Sequence, residues 1–293
     1  MSIGSPFLTG RDRYERVTEG HVDNTHDDAF THTVRLTDDD RSLEVAVVAL
    51  PSPTYAVREA RLTPLAGRVG GSLPTAFARL AGSEMVGGLT RRVAELLGTD
   101  DGATLAVDAT IEVARLARQV AKLPRATAER ATGDPLACWM LDTTGWVDLP
   151  NSCFTYSGAG RAMFGTRTIA TPMVADLYSP RPGQPRVFER RKVAQLERAG
   201  DRLRLFHSMH DNVHGFELRC EIDLASGTIV QAEHVTPRLP YLGVCSEPQR
   251  RFASLIGERV DRELRKRIQG ILGGEAGCAQ LYDLTADLLK LLG

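Results

Sequence analysis

The densest run of groups able to move protons is Phe206-His207-Ser208-Met209-His210-Asp211-Asn212-Val213-His214, which holds three of the chain's seven histidines. Imidazole titrates near neutral pH, and a neighbouring carboxylate can fix its tautomer. His214 and Asp211, with His210 beside them, therefore form a candidate set for general acid–base catalysis. Glu233 and His234 lie on the neighbouring expected strand, and Tyr241 and Cys245 follow. These four are the candidate substrate-binding residues. Two other readings of the same run stay open. It could be the solvated end of a polar strand. His207-x-x-His210-x-x-x-His214 also has the residue types of a zinc or non-haem iron site. A strand and turn do not gather three rings as a helix does, and no metal is expected.

Cys278 follows a pair of glycines near an expected helix start, where a lowered thiol pKa would make a nucleophile. The favoured reading is a small apolar residue packed in a helix corner. The run Gly67–Gly71 lacks the Lys-Ser/Thr of a phosphate loop. No G-x-G-x-x-G follows a strand and no G-x-S-x-G elbow occurs, so no cofactor is expected. The basic run Arg262–Arg267 reads as the solvated face of a helix.

The elements that must position these residues occur twice. Slid by 175 positions, Phe77–Arg118 meets 252–293 with 12 identities in 42 and no gap. Apolar residues at Phe252, Ile256, Val260, Leu264, Ile268 and Leu272 predict one amphipathic helix ending at Gly273-Gly274. A second helix is expected from about Leu281 to Leu292. Upstream, alternating runs predict strands at Phe30–Leu36, Leu43–Ala49 and Thr54–Leu62, matched at an offset of 173 by Leu203–Met209, Phe216–Ile222 and Thr228–Val235. The first 28 residues read as a loose lead-in with one early strand. The fold class expected is α+β: a tandem duplication of a small antiparallel β-meander plus helix pair, with pseudo-two-fold symmetry. Residues 1–122 would be the first repeat and 188–293 the second. Residues 123–187, which hold both tryptophans, would be an inserted segment with short strands such as Cys153–Tyr156.

Residues 191–292 resemble a bacterial family known only as domain of unknown function 2889. The likeness rests on the strand pair around Asp211 and His214, Leu218-Arg219-x-x-Ile222-Asp223, Pro240-Tyr241 followed by Cys245, the helix from Phe252 through Gly257, and Gly273-Gly274-x-x-Gly277-Cys278-x-x-Leu281. The family pattern closes on Gly-Cys-Thr-His-Leu, whereas this chain has Gly277-Cys278-Ala279-Gln280-Leu281. The first repeat is similar in outline only, with Arg41 in the place of His214 and Ala103 in that of Cys278. The resemblance implies a fold and no reaction.

Composition sets the outer bounds. The 293 residues are 42% hydrophobic and 25% charged, with a formal net charge of −1. No overall field recruits nucleic acid, and no apolar run reaches membrane-spanning length. The start lacks the order of a secretory leader. Cys138, Cys153, Cys220, Cys245 and Cys278 are scattered and contain no C-x-x-C, which fits reduced thiols in a cytoplasm. The expectation is a cytoplasmic enzyme acting on a small, mostly apolar organic substrate. Its chemistry would be cofactor-independent acid–base work of lyase, hydratase or isomerase type, and a homo-oligomer is compatible with it. The alternatives are a non-catalytic binder of hydrophobic ligands and a metal-dependent hydrolase or oxygenase.

Overall fold

The computed structural model describes residues 5–292. Alternating residues build strands β1 (Arg13–Asp23), β2 (Phe30–Asp38), β3 (Ser42–Ala49) and β4 (Val57–Ala66). Short helices α1 (Leu73–Ala78) and α2 (Leu89–Leu97) lead to α3 (Ala103–Ala117). Helices α4 (Arg125–Ala131), α5 (Pro135–Gly145), α6 (Gly158–Met163) and α7 (Ala175–Tyr178) follow. Strands β5 (Phe188–Ala199), β6 (Arg202–Asp211), β7 (Gly215–Asp223) and β8 (Thr228–Arg238) then precede α8 (Ser246–Gln249), α9 (Leu264–Leu272) and α10 (Ala279–Leu289).

All eight strands join one sheet in the order β4-β3-β2-β1-β5-β6-β7-β8. β1 and β5 pair antiparallel down the middle, Arg16 facing Ala194. The chain is therefore α+β, and the two halves repeat one element order about this seam. The ends of α2 and α9 lie 175 positions apart. Descent of the halves from a duplicated ancestor is a proposal that this repeated order motivates.

One face of the sheet is covered. Phe30, His32, Val34 and Leu36 of β2 are buried, while Thr33 and Arg35 between them face the open side. Antiparallel sheets tolerate this arrangement, with one wet side. α3 packs on β1, β2 and β3, and α10 packs on β6. Gly20 of β1 lets α3 come close: a Cβ there would sit 2.7 Å from Leu116 Cδ1. Among the described residues no helix is long and apolar enough to cross a membrane.

Two expectations fail here. The predicted helix from Phe252 to Leu272 is broken. Arg250–Leu255 forms a 3-10 turn and α9 begins only at Leu264. Gly257 takes φ 93°, a left-handed conformation that ends a right-handed turn. The backbone beyond it runs along the edge of β8 instead, Ile229 N donating to Glu258 O at 2.9 Å and Val260 N to Gly227 O at 2.8 Å. Ile256 is consequently 53% exposed and Val260 only half-buried, while Phe252, Leu255, Leu264 and Ile268 are buried as expected. The first half breaks at the matching place, where Gly82 has φ 84° and Val57 N bonds to Ser83 O.

The inserted segment is helical rather than stranded. Its regular elements are α4 to α7 and a 3-10 turn at Phe154–Tyr156, and its extended pairing is limited to one isolated bridge between Ala170 and Leu242. The physical reason is local. Asp134 Oδ1 accepts from Leu136 N (2.9 Å) and Ala137 N (3.2 Å), and Pro135 takes the first helical position, so Asp134-Pro135 starts a helix. Trp146 is buried in the common core against Tyr178.

Candidate functional site

A cavity of about 120 Å³ lies where the inserted helices, the β6–β7 turn and the start of α10 meet. His214 stands on its wall, placed there by Asp211. Asp211 ends β6, and its Oδ1 accepts the backbone amides of Val213 (2.8 Å) and His214 (2.5 Å). This closes a tight turn and brings His214 Nδ1 to 3.1 Å from both carboxylate oxygens. Arg190, directly across on β5, donates from Nε to Asp211 Oδ2 at 2.9 Å. Burial alone would raise the Asp211 carboxyl. The charges of His214 and Arg190, with the hydrogen bonds, outweigh it and hold the group well below the usual carboxylate range.

Arg190 also reaches Glu112 of α3 at 3.2 Å, and from there ion pairs continue under the helices. Lys192 bridges Glu112 (3.1 Å) and Asp287 (2.9 Å), and Arg115 meets Asp287 at 2.6 Å. Some of these pairs recur 175 positions apart: Arg115–Asp283 at 3.0 Å answers Lys290–Asp108 at 2.8 Å. The chain ties α3 of the first half and α10 of the second to the His214 turn.

A second buried carboxylate, unlike Asp211, lies on the cavity wall itself. Asp142 of α5 is 2% exposed. It accepts hydrogen bonds from the hydroxyls of Tyr156 (2.7 Å), Tyr178 (2.8 Å) and Tyr241. No cation pairs with it among the described residues. Burial pushes it up to about 6, although the three tyrosine hydroxyls pull the other way. The wall's one arginine, Arg118, is spent elsewhere. Its Nε holds Asp148 (2.7 Å), and its terminal nitrogens hold the carbonyls of Ala114 (2.7 Å) and Met85 (3.0 Å).

Three thiols complete the wall: Cys153, Cys245 and Cys278. Thr155 Oγ1 lies 3.0 Å from Cys245 Sγ. Cys278 does sit at the start of α10, but burial pushes its thiol up to about 11. That favours a packing role over a nucleophile. Gln280, the departure from the family pattern, faces this cavity too.

Of the residues expected from sequence, His214, Tyr241 and Cys245 share the cavity, and Asp211 stands behind His214. The other three leave the site. His210 precedes Asp211 by one position, so its side chain points to the open face of the sheet, 43% exposed and 3.9 Å from Glu217. Glu233 is exposed on that face, paired in register with Arg219. His234 points inward but packs edge-on against Phe252, its Nδ1 buried without a partner, and burial lowers its pKa. His207 is buried with Nδ1 2.9 Å from Leu284 O, and burial drives it down to about 4. The three imidazoles therefore diverge. Among the described residues no three His, Cys, Asp or Glu side chains are placed to hold a metal ion.

Sequence reasoning missed Asp142, Tyr156 and Tyr178. One signal was present: Asp142 is the only charged residue in the apolar helix Pro135–Gly145. A charge on such a helix needs a buried partner or a function.

The profile of the family described as "Protein of unknown function (DUF2889)" matches residues 194–292. No curated protein and no solved structure matches the chain. The matched span carries Asp211, His214, Tyr241, Cys245 and Cys278, whereas Asp142, Tyr156 and Tyr178 lie outside it. The likeness to the DUF2889 family is thus carried by residues 194–292, about a third of the chain.

Proposed function

We propose that the cavity binds a small, mostly apolar organic molecule and moves a proton on it without a cofactor, in a lyase, hydratase or isomerase step. One observation carries this reading: His214 backed by Asp211 and the cation-free Asp142 line the same cavity. Environments that push two acid–base groups apart mark the acid and the base of many enzymes. Asp211 holds the Nδ1 side of the ring, which leaves His214 Nε2 to act as base. Asp142, at about 6, exchanges its proton near neutral pH, where acid–base catalysis is most effective. Its tyrosine partners offer hydroxyls through which that proton reaches a ligand. An apolar cavity of about 150 Å³ takes up benzene, so this one suits a ligand the size of one six-membered ring. Five free thiols fit a cytoplasmic setting.

Proton exchange tests the reading before the substrate is known. Ring-sized hydroxy and carbonyl compounds incubated with the protein in D₂O should take up deuterium at acidic C–H positions. The rate should fall about 10²–10⁴-fold in His214→Ala. Compounds that bind without any exchange would leave the non-catalytic ligand-binding reading in its place.

A further inference from the structure

The charges on the cavity wall also select the ligand, an inference that rests on the acid–base reading above. Three observations bear on it. Asp211 is a pure acceptor once ionised, so the proton between it and His214 sits on Nδ1. In the neutral ring Nε2 is then an acceptor, and it has no partner among the described residues. The ligand must bring the donor. Second, the wall offers no free cation. Arg118 has each of its nitrogens on Asp148, Ala114 O or Met85 O, and its guanidinium is stacked 4.7 Å over Tyr55. Third, Asp142 is a buried carboxylate held only by hydroxyls. With the His214 ring neutral, an anionic ligand would meet this carboxylate with no free cation on the wall to offset the repulsion. A cationic ligand would pin Asp142 in its ionised form, as Arg190 pins Asp211, and would stop it exchanging a proton.

We propose that the site recognises an uncharged, ring-sized compound through a hydroxyl that donates to His214 Nε2, and that it excludes carboxylates.

Benzyl alcohol, toluene, benzoate and benzylamine supply one ring with a donor, no polar group, a negative charge and a positive charge. Calorimetric titration of the intact protein at pH 7.5 should find benzyl alcohol tightest, ahead of toluene by ~2–10-fold, the range of one net hydrogen bond. His214→Phe should erase that margin while toluene still binds. Benzoate should bind at least about tenfold more weakly than the alcohol, and Asp142→Asn should narrow the gap by removing the charge at constant shape. Tightest binding by benzoate or benzylamine, a margin for the alcohol that survives His214→Phe, or no binding of any probe at millimolar concentration would each overturn the proposal. The ordering among probes is read on the unaltered protein, so it does not hinge on a variant folding. The two readings also fail separately: alcohol preference without deuterium exchange removes the catalytic step and keeps the recognition.

Discussion

Two buried aspartates serve one cavity, Asp142 on its wall and Asp211 behind His214, and have opposite characters. Asp211 is wrapped by Arg190, two backbone amides and the His214 ring, and it stays ionised. Asp142 has three tyrosine hydroxyls and no cation, and burial lifts it to about 6. Residue type is the same and burial is similar. What differs is whether the fold supplies a counter-charge. β5 carries Arg190 directly opposite Asp211 in the sheet register, while the 3-10 turn at Phe154–Tyr156, α7 and the segment after β8 bring only phenols to Asp142. A carboxylate built into the ion network sets geometry, and one left out of it can hold or give up a proton.

Breaking either partner in turn sharpens this contrast. The largest effect should be on turnover: once a substrate is in hand, His214→Ala and Asp142→Asn should each lower kcat by about 10²–10⁴-fold. Asp211→Asn should lower it too, by releasing the ring. Equal rates in wild type and Asp142→Asn would show that the raised carboxyl plays no chemical part. Next in size is stability. Asp211→Asn leaves Arg190 facing an uncharged amide in the interior and should cost about 3–5 kcal/mol in urea unfolding, the usual penalty for stripping one member of a buried pair. Leu264→Ala should fall in a similar range, about 2–5 kcal/mol, as a large-to-small change at a fully buried position.

The pH dependence should run in opposite directions. Asp142 has a raised folded pKa, so its stabilising contribution is complete below the ordinary carboxylate value near 4 and fades as pH rises through about 6. By neutral pH it should weaken the fold by about 2 kcal/mol relative to pH 4, an amount that Asp142→Asn abolishes. Asp211 has a lowered folded pKa. Its contribution is present above the ordinary carboxylate range and is lost as pH falls below about 4. Unfolding measured from pH 3 to pH 8 in wild type and both asparagine variants would reveal the two slopes, and a shared sign would contradict the contrast. The smallest effect belongs to Ile256. Ile256→Ser should change stability by less than about 0.5 kcal/mol, because the residue is exposed despite its place in the apolar stripe.

The sequence by itself determined the elements whose causes are local. Alternation placed β2, β3, β6 and β7 within a residue or two, since one buried face of a strand is written as every second residue. The repeated offsets announced the shared element order of the halves. Asp211 and His214 could be singled out because only two residues separate them in the chain, and so could the neighbourhood of Tyr241 and Cys245. The stripe from Phe252 to Leu272 misled because two separate buried segments, joined through Gly257, happened to keep the spacing of one helix. Asp134-Pro135 is a helix start written in the sequence, in a segment whose short apolar runs resemble strands. Only the tertiary structure decided the site itself. Whether His210 or His214 meets the cavity depends on which face of β6 each side chain takes, and that follows from the helices covering one face of the sheet. Asp142, Tyr156, Tyr178 and Tyr241 are spread over 100 positions, and nothing in the spacing of four such residues says that their oxygens converge. The carboxyl's raised pKa arises from the absence of a nearby cation, a property of the folded surroundings.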